Sequence, residues 1–148
     1  MKNDNIIKIT HEYLVIISAK WLKKHKENIA VPNCQTIALE NMTATGETPD
    51  VIGWCSWASV IMEIKTSRQD FKKDLKKPFR ESPSLGAGDF RLYSCPKGLI
   101  KPDEIPRNWG LLYYSGKKLE MVITPKKIKS NLESERTMLV SLIRKLTK

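Results

Sequence analysis

Three side chains in the first half of the 148-residue chain could act on a phosphodiester. Thr48-Pro49-Asp50-Val51-Ile52-Gly53-Trp54 is followed by Val60-Ile61-Met62-Glu63-Ile64-Lys65. On a strand, residues two apart share a face, so Glu63 and Lys65 project together roughly 6.6 Å apart, and Met62 and Ile64 point the other way into core. If the two segments form a hairpin turning at Ser56-Trp57, antiparallel partners have numbers summing to 113 and Asp50 lies across from Glu63. Cross-strand partners share a face at about 5 Å between Cβ atoms, so two carboxylates and one amine converge. With the Ile64 backbone carbonyl between them, Asp50 and Glu63 offer hard oxygen ligands for Mg²⁺ or Mn²⁺, ions that share their coordination sphere with phosphate. Such an ion lowers the pKa of a bound water, and Lys65 could hold that water or the developing phosphorane. Without a cation, two facing carboxylates repel and one tends to take up a proton. Glu-x-Lys spacing alone equally describes a surface ion pair on an edge strand.

The elements that must position these groups are legible in part. Residues 8–26 read as a helix, with Ile9, Tyr13, Ile16/Ile17, Lys20/Trp21 and Lys24 near the 3.6-residue period and Thr10 as its cap. Val31-Pro32-Asn33 ends it. Gln35–Glu40 reads as a short strand, followed by a polar, turn-rich stretch through Gly46, then strands at 50–54 and 59–65. A helix over 68–77 is expected, with Ser67 as N-cap, Asp70 three positions on, and Phe71 and Leu75 as an apolar pair. Pro83–Gly88 reads as a loop, with strands following at 90–95, 109–114 and 119–124. A last helix is expected from a capping box of Ser130 and Glu133, with Leu132, Leu139, Leu142/Ile143 and Leu146 on its buried face. This order predicts one α/β domain, residues 1–148, with a mixed central sheet flanked by helices. Trp21, Trp54, Trp57 and Trp109 lie in periodic apolar segments and are assigned to the core.

Charge is concentrated after the proposed site. Residues 65–80 hold seven basic side chains against Asp70 and Asp74, and Arg68, Lys72, Lys73, Lys76 and Lys77 lie on or beside the second helix. A row of this kind can track phosphates, or simply solvate a helix face. Gln69 could touch nucleic acid from the same helix. Ser67 and Asp70 have a complete explanation as a capping pair. Glu40 could approach the site from the first strand.

Pro49-Asp50, then Glu63-Ile64-Lys65 after the hairpin, resembles the signature of the PD-(D/E)xK nuclease superfamily. Lys65-Thr66-Ser67, followed by Asp70-Phe71-Lys72-Lys73-Asp74-Leu75-Lys76, is similar to the stretch after the motif in the small MmcB-like DNA-repair family. Phe90–Pro96 and Pro106–Leu112 also resemble that family's later strands, so the likeness covers about residues 48–115. Thr48-Pro49-Asp50 stands where the family commonly has Arg-Ala-Asp, so any role of that Arg is lost. The resemblance implies a restriction-endonuclease-like αβββαβ core and Mg²⁺-dependent DNA cleavage, with Asp50, Glu63 and Lys65 as the catalytic and metal-binding set. It further implies an acidic residue from the first helix, at Glu12.

Composition bounds the alternatives. Hydrophobic residues at 41% and charged residues at 28% describe a globular chain, and 26 basic against 16 acidic residues give a net charge of +10 that suits a polyanionic partner. DNA is the expected partner; phosphate contacts carry no sugar identity, so RNA stays open. A non-catalytic nuclease-fold module that binds DNA or a repair protein is the rival reading. A homodimer would let so small a domain reach both strands of a duplex. The longest apolar run, about four residues, is far short of a membrane span. The start, Met1–Asn5, carries no recognisable secretory signal, and three widely spaced cysteines suit a reducing, cytoplasmic setting. Two histidines exclude a zinc finger or a His-rich centre, and no phosphate-cradling glycine motif occurs.

Overall fold

A computed structural model describes residues 8–27, 30–40 and 46–147. The turn-rich stretch at 41–45 and the start at 1–7 lie outside the described residues. Helix α1, His11–Lys24, is shorter at both ends than the expected 8–26, because it begins where the Thr10 hydroxyl, the expected cap, accepts the Tyr13 amide at 3.1 Å and ends with His25 as its C-cap. Strands β1 (Thr36–Leu39), β2 (Val51–Trp54) and β3 (Ser59–Ile64) form an antiparallel meander. Helix α2, Arg68–Leu75, and a single turn α3, Pro78–Glu81, cross to strand β4, Phe90–Pro96, parallel to β3. Strand β5 (Gly110–Tyr114) lies parallel to β4, β6 (Leu119–Ile123) returns antiparallel, and α4 (Leu132–Leu146) follows. The result is one six-stranded mixed sheet in chain order β1 to β6.

All six residues of β3 are buried, as expected of a central strand covered on both faces. On one face Val51, Val60, Met62, Ile64, Leu92 and Leu112 pack under Leu14, Val15 and Leu22 of α1. On the other, Ile52, Ile61, Tyr93, Trp109 and Leu111 pack against Phe71 of α2 and Met138 of α4. Gly53 permits the first layer: a Cβ there would lie 2.7 Å from both Cys34 Cβ and Leu22 Cδ2. The three cysteines are free.

Several sequence expectations need correcting. The inward face of α1 is Leu14, Val15, Ser18 and Leu22, whereas Tyr13 and Ile16 are about half exposed. Apolar residues surround this helix, so their periodicity does not select one stripe, and the Ser18 hydroxyl reaches Ser94 at 2.9 Å inside the fold. The cap of α4 is Asn131, whose Oδ1 accepts the Ser134 amide at 3.2 Å. Ser130 instead points inward to the Glu135 carboxylate and accepts the Gly88 amide at 2.8 Å. Glu135 also receives Trp54 Nε1 at 2.9 Å and the Ser59 hydroxyl at 2.8 Å. These bonds rotate α4 so that Ser134, Glu135 and Met138 face the sheet, leaving Leu132, Ile143 and Leu146 exposed. Trp57, at the hairpin tip, is 56% exposed and lies under Lys127, so it is not core. Within 83–88, residues Pro83–Leu85 form a 3₁₀ turn.

Candidate functional site

The β2–β3 register is the one that the acidic pair requires. Val51 pairs with Met62 and Trp54 with Ser59, so continuing the ladder by one step sets Asp50 opposite Glu63. Asp50 lies just beyond the paired residues, and its Oδ2 accepts the Ile64 amide at 2.8 Å. That oxygen is also 3.4 Å from His11 Nε2, at the first residue of α1. Glu40 follows β1 with a left-handed φ of 49° and completes a group in which one ligand atom each from His11, Glu40 and Asp50 lies within 4.8 Å of the others.

Glu63 faces inward from β3, almost fully buried, with Oε1 3.4 Å from Arg80 NH2 and Oε2 4.0 Å from Lys65 Nζ. Burial pushes its carboxyl up to about 8, the Asp50 charge adds to the rise, and Arg80 opposes it. Desolvation is thus the larger cause of the rise, and the facing Asp50 carboxylate the next.

Beneath this pair lies a buried ionic network. The Asp74 carboxylate, on the inward face of α2, accepts Arg80 Nε at 2.9 Å, Arg80 NH2 at 3.2 Å and the Tyr93 hydroxyl. Lys65 Nζ is 3.3 Å and Lys77 Nζ 3.0 Å from Asp74 Oδ1. Burial alone would raise the Asp74 carboxyl, but Arg80, Lys65 and Tyr93 outweigh it and hold the group well below the usual carboxylate range. Burial likewise disfavours charge on Arg80, yet Tyr93, Asp74 and Glu63 keep it firmly protonated. The Arg80 guanidinium stacks 4.4 Å over the Trp109 ring and approaches Glu47 Oε1 at 3.7 Å. The other oxygen of Glu47 accepts the Ala87 amide at 2.7 Å, and burial raises its carboxyl.

No family model matches the chain, and no curated protein matches it. One solved structure, a protein of unknown function from Silicibacter pomeroyi, is similar with a TM-score of 0.56 at 21% identity. The match covers 74% of this chain and 75% of that one. The likeness is one of fold.

Asp50, Glu63 and Lys65 thus gather at one end of the β2–β3 pair, with Glu40 beside Asp50. The Ile64 amide is committed to Asp50. Glu12 is exposed on α1 and lines a surface hollow with Glu40, while its neighbour His11 is the α1 residue that meets Asp50. Ser67 caps α2 by accepting the Asp70 amide at 3.2 Å, and Asp70 and Gln69 are exposed. Lys72 and Lys73 on α2 and Lys76 at its C-cap are exposed, whereas Lys77 leans onto Asp74. Arg68 is turned away to Glu104 at 2.7 Å and the Leu99 carbonyl at 3.0 Å. His11, Glu47, Asp74, Arg80 and Tyr93 were missed as site members. Asp74 carried a signal: it stands three residues after Phe71, on the inward stripe of α2, where a carboxylate needs a buried partner. Arg80 and Glu47 carried none, because their meeting depends on the α3 turn and on the chain before β2.

Proposed function

We propose that the protein is a divalent-metal-dependent nuclease of the PD-(D/E)xK type with a restriction-endonuclease-like core, acting on DNA. The observation that carries this reading is the register that sets Asp50 against Glu63, with Lys65 Nζ beside Glu63 and the exposed lysines of α2 following directly.

The donor chemistry fits a hard divalent cation. Asp50 and Glu40 offer carboxylate oxygens and His11 an imidazole nitrogen that favours Mn²⁺ over Mg²⁺. Glu63, whose oxygens face Arg80 and Lys65 and which stands outside that group, and the Ile64 carbonyl would be further donors from β3. The 4.8 Å span of the His11–Glu40–Asp50 group needs only modest closure for ligand bonds of about 2.1 Å. When bound, the ion would neutralise phosphate charge and acidify a coordinated water. The chain's own groups supply the rest. The Ile64 amide orients the Asp50 carboxylate, and Arg80 and Asp74 hold Glu63 and Lys65 in place. Lys65, tethered between two carboxylates, is positioned to donate to a non-bridging phosphate oxygen or to hold the attacking water. Lys72, Lys73 and Lys76 would contact the flanking phosphates.

The test is nicking of supercoiled DNA with Mg²⁺ or Mn²⁺. Wild type is expected to nick, and Asp50→Ala to lose activity by at least about 100-fold, the scale of a lost electrostatic contributor. Equal rates in the two proteins would remove the assignment. One observation favours a second reading, a DNA-binding module without cleavage: both Glu63 oxygens already face cations, and Glu63 itself is almost fully buried. DNA binding that survives EDTA, with no metal-linked rise in Tm, would support that alternative.

A further inference from the structure

Strand β1 ends the sheet, and among the described residues no strand pairs with its outer edge. The Glu40 amide donates to the Asp50 carbonyl at 3.1 Å. In this antiparallel ladder Thr36, Ala38 and Glu40 therefore bond inward to β2, while Ile37 and Leu39 turn both N–H and C=O outward. The strand reads Thr-Ile-Ala-Leu, without the charge or proline that usually blunts an open edge. At the opposite edge, β6 carries a Lys118–Glu120 pair at 3.8 Å and its ladder with β5 has an irregularity at Leu111/Leu112.

Apolar surface gathers at this unprotected edge. A groove of about 520 Å³ separates β1 from Leu139, Leu142, Ile143 and Leu146 of α4, with Lys145 also lining it. On the other face a second groove, of about 260 Å³, separates Ile37 and Leu39 from Ile16 and Ala19 of α1. Ile16, Leu39, Ile143 and Leu146 are 50%, 49%, 58% and 84% exposed, a concentration that marks an interaction surface.

The charge along the edge identifies the occupant. Helix α1 runs antiparallel to β1: Gln35 Nε2 donates to the Lys23 carbonyl at 3.3 Å at one end, and Glu12 and Glu40 line a common hollow at the other. The edge is thus basic at its Thr36 end, through Lys20 and Lys23, and acidic at its Leu39 end. A second copy laid antiparallel about a two-fold axis places Ile37 of each chain against Leu39 of the other, satisfying all four outward N–H and C=O pairs, with Ala38 on the axis. The same operation sets Lys20 and Lys23 of each copy opposite Glu12 and Glu40 of the other. An unrelated strand would match this gradient only if it carried the reverse charge order.

We infer that the chain forms a homodimer by antiparallel pairing of its β1 edges, giving one continuous twelve-stranded sheet. Each copy then brings two lysines to the mouth of the other's His11–Glu40–Asp50 group. The interface stands on its own geometry and does not depend on nuclease activity.

Sedimentation equilibrium tests it directly. At roughly 100 μM, well above a micromolar Kd, wild type is expected at twice the 17.0 kDa chain mass. Leu39→Pro, which deletes an outward N–H and no bond to β2, is expected to be monomeric with an unchanged circular dichroism spectrum. A charge swap guards against misfolding of that variant. Lys20→Glu/Lys23→Glu and Glu12→Lys should each weaken self-association at least tenfold, and mixing the two proteins should restore a heterodimer. A wild-type monomer at this concentration, or a dimer indifferent to all these changes, would overturn the inference; so would variants whose mixture stays monomeric.

Discussion

Glu63 is where the energetics of the site are most exposed to measurement. Its carboxyl is held near 8 in the fold against a reference of 4.5, mainly by burial and secondarily by Asp50. The native state therefore keeps a proton that the unfolded chain loses. Stability is highest below about pH 4.5 for this group and declines as pH rises from there through about 8, because the unfolded state binds fewer protons across that window. Glu63→Gln cannot ionise, so its Tm is expected to vary less than that of wild type between about pH 5 and about pH 9. It is also expected to exceed the wild-type value at the alkaline end. Thermal melts along a pH series check this, and parallel curves for the two proteins would refute it. Asp74 behaves oppositely: surrounded by Arg80, Lys65, Lys77 and Tyr93, it stays ionised despite complete burial.

At the scale of elements, helices α2 and α4 show how far local signals reach. Ser67 caps α2 as its sequence implies, since the Ser-x-x-Asp pattern and the Phe71–Leu75 pair agree. For α4 two adjacent residues could both serve as caps. Only packing distinguishes them: Ser130 is drawn inward by Glu135 and Gly88, and Asn131 takes the terminus. Asn131→Ala is accordingly expected to cost about 1 kcal/mol, as an ordinary partly exposed cap does. Ser130→Ala leaves the Gly88 amide without its Ser130 acceptor and Glu135 without a buried donor. It is expected to cost more, about 1–3 kcal/mol, in urea unfolding. Equal costs, or a larger loss at Asn131, would argue against this division of roles.

For the whole molecule, the net charge of +10 matters through its placement. Lys72, Lys73 and Lys76 form the exposed basic face beside the site, while Lys77 and Arg68 are engaged by Asp74 and Glu104. Replacing the first three with Ala is expected to reduce the slope of log affinity for duplex DNA against log salt by about 2.7, about 0.9 per phosphate contact. Titrations at several salt concentrations measure this, and an unchanged slope would place the DNA elsewhere. The sequence by itself located the strands Val51–Trp54 and Ser59–Ile64, the Ser67 cap and the order of the main elements, because these rest on residues close in the chain, while the β2–β3 register followed from it only on the condition that the hairpin turns at Ser56-Trp57. Only the tertiary structure decided which face of α1 is buried, that His11 rather than Glu12 meets Asp50, and that Arg80 ties Glu47, Glu63 and Asp74 together. Those choices depend on how separate elements share one dry volume. A buried charge there takes whichever partner lies within reach, and reach is a property of packing that no local spacing encodes.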